Sequence, residues 1–329
     1  MSSTAMSERF LVTGATGCIG AWAVRNLVRQ GMPAFALVRS GDMHRLKLIM
    51  SEKELSAVEF IKADIVDLGV IERVISENKI SHIIHLAAMQ LPFCKDDPPL
   101  AAAVNVQGTV NIFEAAARHG IRSVVYASST AVYGLAEEYP SGPLMHDAPL
   151  KPRSHYGVYK QANEGTARVY WLDNGISSIG IRPYVVYGPG RDQGMTSSPT
   201  KAMLAAALGK PYKISYGGRF GFQYADDTAN AYINAARVEF KGAEVFNLGG
   251  ETVGMEDVIK AIEAAEPSSR GSITYEDKPL PFPEEIDNKP LIKVLGKLSI
   301  TPLAQGVAES IRTFKKGIAE GNITAEQLN

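Results

Sequence analysis

Thr13-Gly14-Ala15-Thr16-Gly17-Cys18-Ile19-Gly20 is the stretch that most narrows what this chain can become. It follows the apolar run at residues 9–13 (RFLVT), which reads as a buried strand. It leads into Ile19, Ala23 and Leu27, spaced by four as on one face of a helix. Glycines 14, 17 and 20 at that junction permit a tight turn. They also let the backbone approach a pyrophosphate held by the N–H groups of the helix start. A glycine loop placed directly after the first strand predicts a dinucleotide-binding βαβ unit.

The first half repeats the unit. Ala34–Val38 (AFALV), Val58–Lys62 (VEFIK), 81–86 (SHIIHL), Ser123–Ala127 (SVVYA) and 177–181 (SSIGI) read as strands. Helical segments separate them, including an Ala-rich one over 100–119. This alternation predicts an α/β protein with a Rossmann-type doubly wound parallel sheet, whose ligands sit at the carboxyl ends of the strands. From about Gly188 the loops lengthen, the strand candidate 212–216 stands alone, and 279–290 is rich in proline and acid. Near the end Val307, Ile311, Phe314 and Ile318 form a buried helical stripe. Residues 1–187 therefore read as an NAD(P)-binding domain. Residues 188–329 read mainly as a smaller substrate-capping region, with some segments returning to the main sheet.

Charge and cysteine content exclude other classes. Lys plus Arg number 34 against 35 Asp plus Glu, a net charge of -1, so neither nucleic acid nor a membrane surface is an expected partner. The two cysteines, Cys18 and Cys94, support neither a disulfide framework nor a cysteine-based zinc site, and no metal is expected. Residues 1–8 lack the apolar stretch of a leader, and no uncharged apolar run reaches the ~20 residues that cross a bilayer. The expectation is a soluble cytoplasmic protein with a small-molecule substrate.

Four further residues carry chemistry. Tyr156 and Lys160 lie four apart at the start of a predicted helix, on one face. A tyrosine of ordinary pKa, about 10, is a poor base at neutral pH, and a nearby ammonium favours its phenolate. Ser129, in the loop after the Val124–Val125 strand, is placed to donate a hydrogen bond to the same reacting oxygen. The strand Ala34–Val38 ends in Arg39, where an NAD site usually has an acid for the ribose 2′-OH. Arg39 suits a 2′-phosphate, so NADP is the expected cofactor, with NAD possible.

Five motifs occur in one order: Gly14-x-x-Gly17-x-x-Gly20, His85-Leu86-Ala87-Ala88, the run 128–134 (SSTAVYG), Tyr156-x-x-x-Lys160, and 182–190 (RPYVVYGPG). Together they resemble the extended short-chain dehydrogenase/reductases, which include sugar-nucleotide epimerases and dehydratases. The resemblance implies that Ser129, Tyr156 and Lys160 are catalytic, Tyr156 as acid/base and Lys160 also on the nicotinamide ribose. It further implies that the backbone of Cys18 and Ile19 meets the pyrophosphate, that Asp64 and Ile65 contact adenine, and that Leu86, Ala87 and Ala88 lie beneath the cofactor. It implies a homodimer formed through the helices 100–119 and 156–174.

The chain departs from the sugar-nucleotide enzymes in places. Dehydratases carry an Asp-Glu pair where this chain has Thr130 and Ala131. The arginine with which epimerases hold a nucleotide diphosphate falls on Phe220, with Arg219 one place earlier. These departures make the leading expectation an NAD(P)-dependent oxidoreductase that interconverts a secondary alcohol and a ketone on a small polar substrate (a sugar, sugar acid or polyol). Gln90, Ser129, Thr130, Tyr156 and Arg191 are its candidate substrate contacts. The alternative is a sugar-nucleotide epimerase that retains its cofactor. A dinucleotide-binding sensor or scaffold is the non-enzyme alternative, and the intact Ser129, Tyr156 and Lys160 set argues against it.

Overall fold

The computed structural model describes residues 8–328, so the polar start read above lies, apart from Glu8, outside the described residues. The central sheet uses seven strands: β1 (Phe10–Thr13), β2 (Ala34–Val38), β3 (Val58–Lys62), β4 (His82–His85), β5 (Ser123–Ala127), β6 (Ser177–Pro183) and, much later, Ala243–Leu248. Between β6 and that last strand come β7 (Val185–Tyr187), β8 (Tyr212–Ile214) and β9 (Arg219–Tyr224). The strand Ala243–Leu248 is therefore β10, followed by β11 (Glu251–Gly254) and β12 (Ile273–Tyr275). The central order is β10-β6-β5-β4-β1-β2-β3, and every pairing in it is parallel.

Each strand's pleat sends alternate side chains to opposite faces. Phe10 and Val12 of β1 enter one core with Trp22 and Leu27, while Leu11 enters the other with Ile71 and Phe113. Both faces are covered, so the strands read as continuous apolar runs rather than alternating ones. β1 pairs with β2 on one side and β4 on the other, which makes the β1–β4 gap the switch point of the winding.

Two details differ from the sequence expectation. The helix expected over 100–119 is Pro98–Ala102 and Gly108–Arg118 joined by a π-helical turn, Ala103–Gln107. Such a turn holds one extra residue and re-aims the side chains beside it. The strand expected alone at 212–216 is shorter and is paired, β8 against β12 in parallel. β7, β9 and β11 form a third small sheet beside the cleft. No described helix is long and apolar enough to cross a membrane.

Candidate active site

The glycine loop is shaped by contact. Gly14 has φ +66, and a Cβ there would stand 2.7 Å from the Ala87 backbone nitrogen. A Cβ on Gly20 would run into the Gly14 carbonyl. Gly14 is closed to larger residues because the turn packs on the segment after β4, and Gly20 because the helix start packs on the turn itself. The helix Cys18–Arg29 that follows has Gly17 as its N-cap, with no side-chain cap and no acidic residue in its first turn. Its first N–H groups are thus bare at the positive end of a three-turn dipole, which fits a pyrophosphate.

A buried relay fixes that turn to the strip beneath the cleft. The Thr109 hydroxyl donates to the Asn105 carbonyl at 2.8 Å, so it accepts the His85 Nε2–H at 3.0 Å. His85 Nδ1 is then the acceptor for the Thr13 hydroxyl at 2.7 Å, and Thr13 Oγ1 accepts the N–H groups of Leu86 and Ala87, both at 3.2 Å. The relay needs a neutral imidazole, and burial holds His85 down to about 3, with Lys160 adding to the effect.

Ends of successive strands surround one cavity of about 580 Å³. Gly14, Gly17, Cys18, Ile19 and Gly20 line it after β1, Arg39 after β2, Asp64 and Ile65 after β3, and Leu86, Ala87 and Ala88 after β4. Ser129 and Thr130 after β5, Tyr156 and Lys160 on the helix His155–Asn174, and Gln90 and Arg191 from loops complete the set of expected residues. Sequence reasoning missed the Gln193–Thr196 loop, Tyr184 and Phe282, which also line the cavity. Nothing in their residue types distinguishes them from ordinary loop positions.

At the reacting end the Ser129 hydroxyl and the Tyr156 phenol line the same cavity, and Ser129 also caps the short turn Thr130–Val132 by accepting from Ala131 N–H at 3.1 Å. Lys160 Nζ donates to the Ala127 carbonyl at 2.7 Å and stands 5.7 Å from the Tyr156 ring centre. Burial pushes the Tyr156 phenol above its ordinary value, and the groups that pull it back are the Ser129 hydroxyl and the Arg191 charge. The Lys160 head is turned to the backbone of β5 instead.

Beneath Ser129, the Arg182–Glu164 ion pair (2.7 Å) is buried, and Ser128 donates to Glu164. This pair ties the β5 loop to β6 and to the helix His155–Asn174. Burial pushes the Cys18 thiol up to about 11, which disfavours its thiolate at neutral pH. Arg39 is exposed. Phe220 is wholly buried in the core, and Arg219 pairs on the surface with Glu284 at 3.8 Å. Neither lines the cavity. No cluster of three His, Cys, Asp or Glu side chains among the described residues could hold a metal ion.

The model of the NAD dependent epimerase/dehydratase family matches residues 10–249. The chain belongs to that family. A UDP-glucose 4-epimerase of Mycolicibacterium smegmatis is 32% identical over 323 residues, covering 93% of this chain and 98% of the relative. Among solved structures, MoeE5 in complex with UDP-glucose and NAD is 27% identical with TM-score 0.77, covering 94% of this chain and 99% of that one. The UDP-glucose 4-epimerase of Thermotoga maritima, solved with UDP-glucose, shares the fold at TM-score 0.81 and 21% identity, over 94% of this chain and 99% of that one. This epimerase/dehydratase family member is an enzyme of the extended short-chain dehydrogenase/reductase type. Its relatives favour the epimerase alternative over the generic alcohol oxidoreductase that the sequence departures had put first.

Proposed function

We propose that this enzyme is a sugar-nucleotide 4-epimerase acting on a UDP-hexose or UDP-hexuronate. The observation that carries the reading is the Ser129 hydroxyl set against the Tyr156 phenol in the cleft, in a chain that aligns along 93% of its length with a UDP-glucose 4-epimerase. When bound, the nicotinamide supplies hydride acceptance and return at the sugar carbon. Tyr156 takes the proton of the sugar hydroxyl and gives it back, and Ser129 donates to the same oxygen while charge develops there. Lys160, anchored on Ala127, is placed for the nicotinamide ribose, and the bare helix start for the pyrophosphate.

The dehydratase branch is disfavoured by Thr130 and Ala131, which offer no carboxylic acid/base pair. Arg191 takes over the substrate diphosphate that Phe220 cannot serve. Its Nη groups are steadied by Gln90 and Thr196 at 3.3 and 2.9 Å, while its buried Nε has no hydrogen-bond partner. Arg39, with no acid beside it at the end of β2, admits a 2′-phosphate, so NADP is accommodated as well as NAD. An exposed apolar stripe on the helix His155–Asn174 supports a homodimer.

The experiment is incubation with UDP-glucose, and separately with UDP-glucuronate, without added cofactor. The expected product is the 4-epimer of one of them, and the dinucleotide released on denaturing the protein identifies the cofactor. Tyr156→Phe should lower turnover by about 10²–10⁴-fold with the dinucleotide still bound. The buried Phe220 favours, as the second reading, net oxidation of a small polar alcohol. Stoichiometric NADPH formation with such an alcohol, and no epimer from either sugar nucleotide, would decide for it.

A further inference from the structure

Arg45, on the short helix His44–Ile49 after β2, lines the cleft beside the glycine loop. Its Nε donates to both carboxylate oxygens of Asp192 at 3.0 and 3.1 Å, its Nη2 to Oδ1 at 2.7 Å, and its Nη1 to the Thr16 carbonyl of the glycine loop at 2.9 Å. His44 approaches the other side of Asp192, Nε2 to Oδ2 at 2.7 Å, and is itself bonded through Nδ1 to Asp42 at 2.7 Å. Trp22 on the first helix donates to the Pro189 carbonyl at 2.9 Å.

These contacts fasten the Gly188–Asp192 turn, which belongs to the substrate side, onto the cofactor side. Gly188 and Gly190 hold φ of 119 and 92, a bend that a Cβ would strain. A Cβ on Gly190 would also touch the Arg45 stem, 3.6 Å from its Cδ. Arg45 and Arg191 both form part of the cavity wall, so the fastened turn builds that wall against the glycine loop. The Arg45 and Asp192 side chains are only 13% and 26% exposed, so salt screens them little.

We propose that Arg45, Asp192 and His44 form a latch across the dinucleotide cleft that retains the bound cofactor from one turnover to the next. All three are positioning residues: they act by holding the Gly188–Asp192 turn and, with it, Arg191. The inference rests on the reading of the cleft as a dinucleotide site and on nothing about which sugar reacts. Retention suits an epimerase, since each turnover returns the hydride and leaves the cofactor in its starting oxidation state, ready for the next substrate without exchange.

The test is the release of NADH from the loaded protein, followed by its fluorescence while excess NAD displaces it. Opening a charge-assisted pair of this kind should speed release about ten- to a hundredfold in Asp192→Asn, and less in His44→Gln. The sign discriminates. An aspartate that merely stood near the cofactor phosphates would repel them, and neutralising it would slow release. Arg45→Lys keeps the cation and loses the fork, so it should also release faster. It carries the test if Asp192→Asn fails to fold. Unchanged or slower release in the folded variants overturns the latch. The assay contains no sugar, so its failure leaves the epimerase reading standing, and absence of epimerisation leaves the latch standing.

Discussion

Burial holds the Lys160 ammonium down to about 8 from an ordinary 10.5, against the opposing pull of Cys94 and Glu164. A base whose folded pKa lies below its unfolded one binds more protons when unfolded, so stability rises with pH between those two values. Below about 8 the folded protein carries the full penalty of a buried charge, about 3 kcal/mol. Lys160→Met removes that charge and leaves the Ala127 carbonyl without its ammonium donor, a loss of about 1.5–3 kcal/mol. The two effects are of similar size at pH 7, so the cofactor-free variant should match wild type there to within about 1–2 kcal/mol while losing turnover. From pH 8 to 10.5 wild type gains stability and the variant does not, so the variant should fall behind as pH rises. Denaturant titrations at pH 7 and pH 10 check this. A stability difference that is the same at both would remove Lys160 from the pH dependence. Tyr156 obeys the same physics with the opposite sign, since burial raises a phenol. Its activation therefore depends on what enters the cleft rather than on Lys160 alone.

At the scale of elements, the relay from Thr13 through His85 to Thr109 joins β1, β4 and the helix Gly108–Arg118. His85 is neutral when folded and gains a proton when unfolded at mild acid, so stability should drain as pH falls below 6.5 toward about 3, by up to about 1.4 kcal/mol for each pH unit. His85→Gln keeps a donor and an acceptor but cannot titrate. Its melting temperature should therefore fall less steeply than wild type between pH 6.5 and pH 4.5, and parallel curves would remove His85 from the acid response. Elements of this kind separate what the sequence discloses from what it hides. β1 and β2 were legible because burial on both faces leaves uninterrupted apolar runs. β10 was not, because Glu244 is exposed and the strand forms the sheet's edge, paired with β6 far back in the chain. The π turn at Asn105 changes hydrogen bonding without changing composition. The glycine loop and the Tyr156–Lys160 pair were legible because their spacing is local. The Arg45–Asp192 contact joins residues 147 apart, and no local pattern announces it.

For the whole molecule, one face of the helix His155–Asn174 supports Gly157, Lys160, Asn163 and Ala167 against the core. The opposite face carries Val158, Ala162, Gly165, Val169 and Leu172, at steps of four, three, four and three. Val158, Val169 and Leu172 are 47%, 53% and 68% exposed, and Leu100 on the adjoining helix is 45% exposed. Three large apolar residues in a row on a solvent face are uncommon unless something covers them. Small residues at the middle of the stripe would let a second backbone come close, and a two-fold axis lets the same stripe serve both partners. The expected state is a dimer in which the catalytic helices of two copies pack together. Leu172→Glu would replace an apolar side chain by a carboxylate facing its own copy across the axis, where desolvating the charge costs about 3–5 kcal/mol. Dimer dissociation should then strengthen by more than about a hundredfold, read as a shift to monomer in sedimentation at micromolar concentration. The cleft lies on the other side of that helix, so the monomeric variant should keep its bound dinucleotide. A wild-type monomer at tens of micromolar, or a Leu172→Glu protein that still sediments as a dimer, would show that this stripe is not the interface.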